Sequence, residues 1–168
     1  PVNFSVPTGN FGDVYAGYLA KKMGLPINKL IVATNQNDIL HRAISNGKYE
    51  AESVFETNSP SMDIQIASNF ERLVYDLNNC DDNETQKIMT DIKEEGKYII
   101  PKNKMEKINK DFLSASMNEN EVLDTIKEVY TKYDIILDPH SAIGFGALSK
   151  INIDGNNIVL VTAHPCKF

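Results

Sequence analysis

The 168-residue sequence predicts a three-layer α/β domain with a mainly parallel sheet. Residues 2–6 form an apolar strand pattern, and residues 12–23 form a helix pattern that ends at Gly24. Residues 29–34 are a continuous run rich in β-branched side chains, which is typical of a strand covered on both faces. A strand, helix and strand over this distance make a βαβ unit, whose two strands are parallel.

The remaining elements follow from apolar periodicity and from turn residues. Asp138 and Pro139 form an N-cap followed by a proline in the first helical position, which predicts the start of a late helix. The charged helices in the middle of the chain are expected to form a solvated outer layer. The predicted helices cover residues 36–46, 68–78, 83–95, 103–110 and 119–132, and the predicted strands cover residues 112–116, 134–137 and 158–163.

Composition limits the class of function. The content of 42% hydrophobic and 24% charged residues is that of one globular domain, so residues 1–168 are assigned to a single unit. The net charge is -6 and no basic tract is interleaved with aromatic residues, so no nucleic-acid partner is expected. No apolar run approaches the roughly 20 residues that span a bilayer, which predicts a cytoplasmic protein without a membrane partner.

The cysteines and histidines do not predict a metal site. Cys80 and Cys166 lie far apart in the chain without a CxxC pattern, and both are expected to be free thiols. The three histidines, His41, His140 and His164, have no second ligand at zinc spacing. We therefore expect no bound metal.

The stretch TGNFGD, residues 8–13, joins the first strand to the first helix and has the pattern of an anion-binding loop. Its two glycines allow the backbone to approach a ligand, and the helix that follows presents unpaired N–H groups. Thr8 and Asn10 can add side-chain donors, whereas Asp13 would repel a phosphate and is expected to turn away or to bond the loop. The pattern is neither GxGxxG nor a P-loop, and the glycines alone would equally suit a tight turn.

Four separated stretches carry a resemblance to a known family. They are VPTGNFGDVYAGYLAKKMGLPINKLIVATNQNDILHR, SPSMDIQIASNFERLVYDL, LDPHSAIGFGAL and TAHPCKF, in that order along the chain. Together they resemble the threonine synthases, which are pyridoxal 5'-phosphate (PLP) enzymes of fold-type II. The resemblance implies the tryptophan synthase β-like large domain. It covers only part of such an enzyme, so a missing N-terminal domain is expected to be a partner of this chain.

The resemblance implies an elimination and hydration that convert O-phospho-L-homoserine and water into L-threonine and phosphate, with PLP as the electron sink. The lysine that forms a Schiff base with PLP belongs to the missing domain, so no catalytic residue is assigned here and the chain alone is expected to be inactive. Thr162 would hydrogen-bond the pyridine nitrogen, although by itself it resembles a β-branched residue that ends a strand. The residues implied to hold the cofactor's 5'-phosphate are Gly9, Asn10, Phe11, Gly12 and Asp13.

Three further residues are candidates for binding the substrate. Asn37 follows the strand at 29–34, at the end where open α/β sheets bind ligands, but asparagine is also an ordinary turn residue there. Arg72 could present its planar guanidinium to a phosphate or carboxylate, or it could pair with a nearby acid on an exposed helix. Asn69 could contact the substrate or cap the same helix.

Two alternatives remain open on the sequence. A threonine synthase-like phospho-lyase would cleave the same kind of phosphorylated amino acid without making threonine. A non-catalytic phosphate-binding or partner-binding module would use the same loop, but Thr162 would then have no reason to lie near Asn10.

Overall fold

The computed structural model describes residues 1–167 and contains seven helices and six strands among them. The strands are β1 (Val2–Pro7), β2 (Ile27–Thr34), β3 (Lys48–Glu50), β4 (Lys97–Ile99), β5 (Phe112–Ser116) and β6 (Asn156–Val159). The helices are α1 (Gly12–Lys22), α2 (Ile39–Asn46), α3 (Phe70–Leu77), α4 (Asp82–Glu95), α5 (Lys102–Asp111), α6 (Glu119–Tyr133) and α7 (Pro139–Ser149). Two short 3-10 helices cover Pro60–Met62 and Pro165–Lys167.

Four of the strands form a parallel sheet in the order β5-β2-β1-β6. In the central pair Val6 of β1 lies opposite Val32 of β2, and on the other side Ser5 lies opposite Val159 of β6. The βαβ unit predicted for the first 34 residues is therefore confirmed. The apolar run of β2 is buried because the sheet is covered on both faces.

Two separate hydrophobic clusters show the three layers. On one face the cluster joins the sheet to helices α1 to α5, and on the other face a smaller cluster joins it to α6 and α7. The most deeply buried large side chains of the first cluster include Phe11, Phe70, Phe112, Leu30 and Ile44. Burying each such side chain contributes roughly 1.5–3 kcal/mol, so the packing of α1 to α5 on this face of the sheet contributes strongly to stability.

Several predicted elements differ from the structure. Residues 134–137 are irregular rather than a strand, and Ile135 and Ile136 are exposed to solvent. Asp134 ends α6 in the left-handed conformation, with φ of 56°, so the chain turns there and finds no strand to pair with. A short apolar run is ambiguous on periodicity alone, and this one belongs to a helix-to-helix connection.

The final strand and the second helix are shorter than predicted. The strand β6 covers Asn156–Val159, so residues 160–163 lie beyond it in an irregular segment. The helix α2 begins at Ile39 because the Asn35 side chain accepts a hydrogen bond from the N–H of Asn37, which holds a turn before the helix. The antiparallel ladder of β3 and β4, with three residue pairs, was not predicted, because three-residue strands carry almost no periodicity.

The structure can be compared with the expectations about membrane spans, metal sites and cysteines. In residues 1–167, no helix combines the length and the apolar character needed to cross a bilayer. No group of three or more histidine, cysteine or acidic side chains gathers in this same range as a metal site would require. Cys80 and Cys166 are both free and exposed, as the sequence predicts.

Candidate functional site

The loop of residues 8–13 wraps a cavity of about 170 Å³ where β1 ends and α1 begins. Its wall consists only of Pro7 and the six loop residues. The carboxyl ends of parallel strands are where open α/β sheets bind ligands, and here the loop also brings a helix N-terminus to that edge. Local geometry therefore suits an anion.

Phe11 fixes the shape of the loop from within the core. Its backbone is left-handed, with φ of 69°, and it occupies the N-cap position of α1. The side chain is wholly buried and lies edge-on to Phe70, with ring centroids 5.4 Å apart, and beside Phe112 at 5.8 Å. A positive φ is costly for a bulky residue, and this packing holds it in place. Phe11 can therefore face a ligand only through its backbone.

The backbone N–H groups of the loop are available. Within residues 1–167, those of Asn10, Phe11, Gly12 and Asp13 have no hydrogen-bond acceptor. They lie at the positive end of the α1 dipole, which favours negative charge within the first turn. The hydroxyl of Thr8 instead donates to the carbonyl of Val6 at 2.6 Å, so it is occupied within its own strand.

A second segment of chain packs against the loop from outside. A Cβ added to Gly9 would lie 3.0 Å from the carbonyl oxygen of Ser61, which is in the 3-10 helix of residues 60–62. The N–H of Asn69 donates to the carbonyl of Asn10 at 3.1 Å. The N–H and hydroxyl of Ser68 each reach the Asn10 side-chain oxygen at 3.4 Å. The loop is therefore held between its own strand and residues 61–69.

An adjoining cavity of about 180 Å³ brings Thr162 to the loop. It shares Pro7, Gly9, Asn10 and Asp13 with the first cavity. Its other lining residues come from three distant parts of the chain, namely Ser61, Met62, His140, Thr162, Ala163 and Lys167. Thr162 and Lys167 are exposed side chains at the mouth of the cavity. Thus a residue near the end of the chain and the loop near its beginning border one space.

His140 reaches this cavity from the first turn of α7. Asp138, which is 1% exposed, caps that helix and accepts hydrogen bonds from the N–H of His140 at 2.9 Å and from His140 Nδ1 at 3.0 Å. The hydroxyl of Ser141 donates to the same carboxylate. Burial by itself would raise the pKa of Asp138, but these donors together hold it below its ordinary value. The predicted N-cap is therefore confirmed, with a histidine fixed beside the cavity.

None of the three candidate substrate residues lines either of these two cavities. Asn37 is buried, and its amide bonds the backbone of Phe55 in both directions and the carboxylate of Asp63. Arg72 and Asn69 line a separate open cleft of about 790 Å³ between α3 and α4. Asn69 occupies the N-cap position of α3 without a side-chain capping bond, and its Nδ2 faces Gly12. Asn69 therefore adjoins the loop of residues 8–13, whereas the side chain of Asn37 is occupied by Phe55 and Asp63.

Met62 and His140 line the cavity although the sequence did not predict them there, and Ser61, which belongs to one of the four resembling stretches, was not placed in it. Ser61 and Met62 arrive through a loop whose position depends on tertiary contacts. His140 arrives because α7 packs closely on β1, where a Cβ on Gly144 would lie 2.9 Å from the ring of Pro7. A small residue within an apolar helix is the one sequence signal that hints at such an approach.

The known proteins that this chain resembles in sequence include several threonine synthases. The chain is 44% identical over 169 residues to a threonine synthase from Pseudomonas aeruginosa and 45% identical over 186 residues to that from Saccharomyces cerevisiae. Each alignment covers 99% of this chain but only 36% of the relative. A protein from Homo sapiens named threonine synthase-like 1 is 34% identical over 171 residues. The chain thus spans about a third of the length of the curated threonine synthases that it matches.

Solved structures agree with the sequence comparison. A PLP-bound threonine synthase from Brucella melitensis superposes with a TM-score of 0.96 at 46% identity, covering 99% of this chain and 36% of that one. The threonine synthase from yeast gives a TM-score of 0.92 at 43% identity, with the same coverage. Maize serine racemase, at 14% identity and a TM-score of 0.53, shares the fold alone.

No family model matches the chain. The fold-type II architecture that the sequence predicted is confirmed by the neighbours of known structure. The chain is therefore homologous, over nearly its whole length, to a part of the threonine synthases.

Proposed function

We propose that residues 1–168 form the cofactor-phosphate-binding large domain of a threonine synthase. The reaction is the conversion of O-phospho-L-homoserine and water into L-threonine and phosphate. The observation that carries this proposal is that Thr162 and the loop of residues 8–13 border one cavity, although about 150 residues separate them in the chain. A module that used only a helix N-terminus to bind an anion would need no such approach.

The residues of the loop fit a cofactor phosphate. The unpaired N–H groups of residues 10–13 and the N-terminus of α1 supply donors and a positive potential without a basic side chain. Gly9, Asn10, Phe11, Gly12 and Asp13 would hold the 5'-phosphate of PLP, Phe11 through its backbone alone. Asp13 is exposed and borders both cavities, so it would have to direct its carboxylate away from the phosphate.

Thr162 would hydrogen-bond the pyridine nitrogen of PLP. When bound, PLP supplies an electron sink for the elimination and hydration. A neutral hydroxyl does not hold the ring nitrogen protonated as a carboxylate would, so less charge moves into the ring and elimination is favoured over transamination. The exposed hydroxyl of Thr162 at the cavity mouth is free to orient toward such a ring.

We propose that this chain is part of a longer protein, whose other residues form the remainder of the enzyme. The chain corresponds to 36% of the threonine synthases that it matches, so we assign the Schiff-base lysine to an N-terminal domain and propose that this chain alone is inactive. The domain's substrate-binding residues would be Asn69 and Arg72 in the cleft beside the loop. Asn37, which the sequence also offered, is buried and bonded to Phe55 and Asp63, so it would support these segments rather than contact the substrate. We propose the cytoplasm as the compartment.

The test is product analysis with the full-length protein. Purified enzyme is incubated with PLP and O-phospho-L-homoserine, and threonine and phosphate are quantified over time. Equal amounts of threonine and phosphate are expected. Absence of both, in a preparation that is folded and saturated with PLP, would contradict the proposal.

A phospho-lyase is the second candidate, since the chain is 34% identical to a threonine synthase-like protein. It would release phosphate from the same substrate and form a 2-oxo acid in place of threonine. The higher identity of 44% and 45% to the synthases favours the first candidate. The same assay separates them, because only a synthase yields one threonine per phosphate.

A further inference from the structure

Next to the two cavities lies a polar network that makes none of the proposed contacts with cofactor or substrate. Its centre is the carboxylate of Asp63, in the loop that follows the 3-10 helix of residues 60–62. Asp63 Oδ1 accepts from Asn35 Nδ2 at 2.8 Å and from Asn37 Nδ2 at 3.0 Å. It also accepts from the Thr57 hydroxyl at 2.6 Å, and Oδ2 accepts from the Thr57 N–H at 2.8 Å.

These bonds close residues 57–63 into a turn. The Thr57 bonds join the beginning of the turn to its end, and Ser59, which is fully buried, receives a bond from Asn35 Nδ2 at 2.9 Å. The N–H of Asp63 also donates to the carbonyl of Pro60. The turn has no regular secondary structure beyond three residues, so its position depends on side-chain bonds, namely those of this carboxylate and those from Asn58 to the Glu119 carboxylate.

The same carboxylate ties the turn to the sheet. Asn35 is wholly buried and directly follows β2, and its backbone carbonyl accepts from the hydroxyl of Ser116 at the end of β5 at 3.0 Å. Asn37 is 4% exposed and stands two residues further along. The network therefore fixes residues 57–63 to the carboxyl ends of two strands, at the edge of the sheet where the site lies.

The turn presents Ser61 and Met62 to the candidate site. Both line the cavity shared by Asn10 and Thr162. The carbonyl of Ser61 stands against Gly9, where no Cβ could be added without displacing one of them. A shift of the turn would therefore move one wall of the phosphate loop.

We propose that Asp63 is a positioning residue for the phosphate loop: its carboxylate holds the 57–63 turn against Gly9 and so sets the shape of the site. The inference rests on the proposed function, because it names PLP as the occupant. Asp63 touches neither cavity and acts only through Ser61 and Met62. A displaced turn is thus expected to weaken binding of the 5'-phosphate more than binding of the rest of PLP.

The variant Asp63→Asn tests this with little change of shape. If its amide nitrogen replaces Oδ1, that nitrogen faces the donors of Asn35, Asn37 and Thr57. If it replaces Oδ2, it faces the N–H of Thr57. Either orientation opposes a donor to a donor, so the turn must move or lose a bond.

The experiment measures the affinity of the full-length protein for PLP and for pyridoxal, which lacks the phosphate, by quenching of tyrosine fluorescence. Loss of about one hydrogen bond in the turn of residues 57–63 should lower the ratio of PLP affinity to pyridoxal affinity roughly tenfold in Asp63→Asn. The control is Asp81→Ala, which removes the exposed N-cap of α4, where Asp81 accepts from the N–H of Glu84 at 2.9 Å. It should lower stability and leave the ratio unchanged.

An affinity ratio for Asp63→Asn within about twofold of wild type would overturn the proposal, since a purely structural role would affect both ligands alike. If Asp63→Asn does not fold, Thr57→Val carries the test, because it removes one donor to Asp63 and keeps the backbone bond. A smaller decrease in the ratio is then expected, and an unchanged ratio overturns the proposal. Wild-type protein that binds no PLP would instead refute the proposed function.

Discussion

Gly9 and Ser61 approach so closely that a Cβ on Gly9 would lie 3.0 Å from the Ser61 carbonyl oxygen and 3.4 Å from the Cα of Met62. Both neighbours are backbone atoms, which cannot swing aside as a side-chain tip can. The turn that carries them is fastened to the sheet through Asp63. Gly9 is therefore needed for contact between two chain segments, since its own φ does not require glycine.

Gly9→Ala is the direct test of this contact. The added methyl must displace the wall or the loop, and overpacking of this kind costs about 1–3 kcal/mol. We expect a lower free energy of unfolding in urea titrations and a weaker affinity for PLP in the full-length protein. Unchanged PLP affinity in a folded variant would show that the spacing between Gly9 and Ser61 does not matter for the site.

Gly17→Ala is its matched control, in the helix α1 that follows the loop. Its Cβ would lie 3.0 Å from Leu30 Cδ2, the end of a side chain that can adjust. Alanine in a helix interior also gains up to about 1 kcal/mol over glycine. Its stability should therefore be equal to wild type or slightly higher, and its PLP affinity should not change.

Thr162→Val removes the hydroxyl and keeps the shape of the side chain. Thr162 is exposed, so its free energy of unfolding should stay within about 0.5 kcal/mol of wild type. The kcat for threonine formation should fall on the order of tenfold, which corresponds to the loss of one hydrogen bond. Thr162→Ser keeps a hydroxyl and should retain most of the activity; a valine variant as active as wild type would exclude the assigned contact with the ring nitrogen.

Asp138→Ala should destabilise the start of α7. The carboxylate is buried and caps the helix while it also bonds His140 and Ser141, so its loss should cost about 1–2 kcal/mol. The measurement is urea unfolding at neutral pH. A change below about 0.5 kcal/mol would mean that the cap contributes no more than an ordinary surface residue.

The same variant has a defined pH dependence. The folded pKa of Asp138 lies below its ordinary value, so its contribution is fully present above the unfolded carboxyl pKa of about 3.9. It is lost as the pH falls through the lower, folded value. The stability difference between wild type and Asp138→Ala should therefore be constant from neutral to mildly acidic pH and narrow in stronger acid. A difference that widens in acid would contradict the lowered pKa.

The first βαβ unit could be predicted because its pattern is local and strong. The run LIVAT can be buried only between two layers, and Gly24 ends the preceding helix with φ of 106°. By contrast, Ile135 and Ile136 resemble a strand in sequence but connect two helices, since strand formation depends on a neighbouring edge. Local propensity predicts an element only where tertiary contacts agree with it.

One part of the candidate site could likewise be predicted from the sequence and another part could not. The loop of residues 8–13, between a strand and a helix, could be predicted from TGNFGD, because glycines before a helix carry a local signal. Its second wall could not, since Ser61 and Met62 depend on the bonds between Asp63 and Asn35, which are 28 residues apart. Phe11 also differs from a simple ligand residue, because it belongs to the core as much as to the loop. Long-range polar contacts leave no periodic trace in a sequence.

Lys167 provides the last test, because it lines the cavity beside Thr162 and is thus the alternative to a lysine of the proposed N-terminal domain as the covalent anchor of PLP. The proposed function assigns that anchor to the N-terminal domain. Borohydride reduction of the full-length protein with PLP, followed by peptide mapping, should label one lysine outside residues 1–168. Lys167→Arg keeps the positive charge and should show the same label with nearly unchanged stoichiometry. If Lys167 itself is labelled in the wild type, and this label is lost in the arginine variant, the reactive lysine lies in this chain.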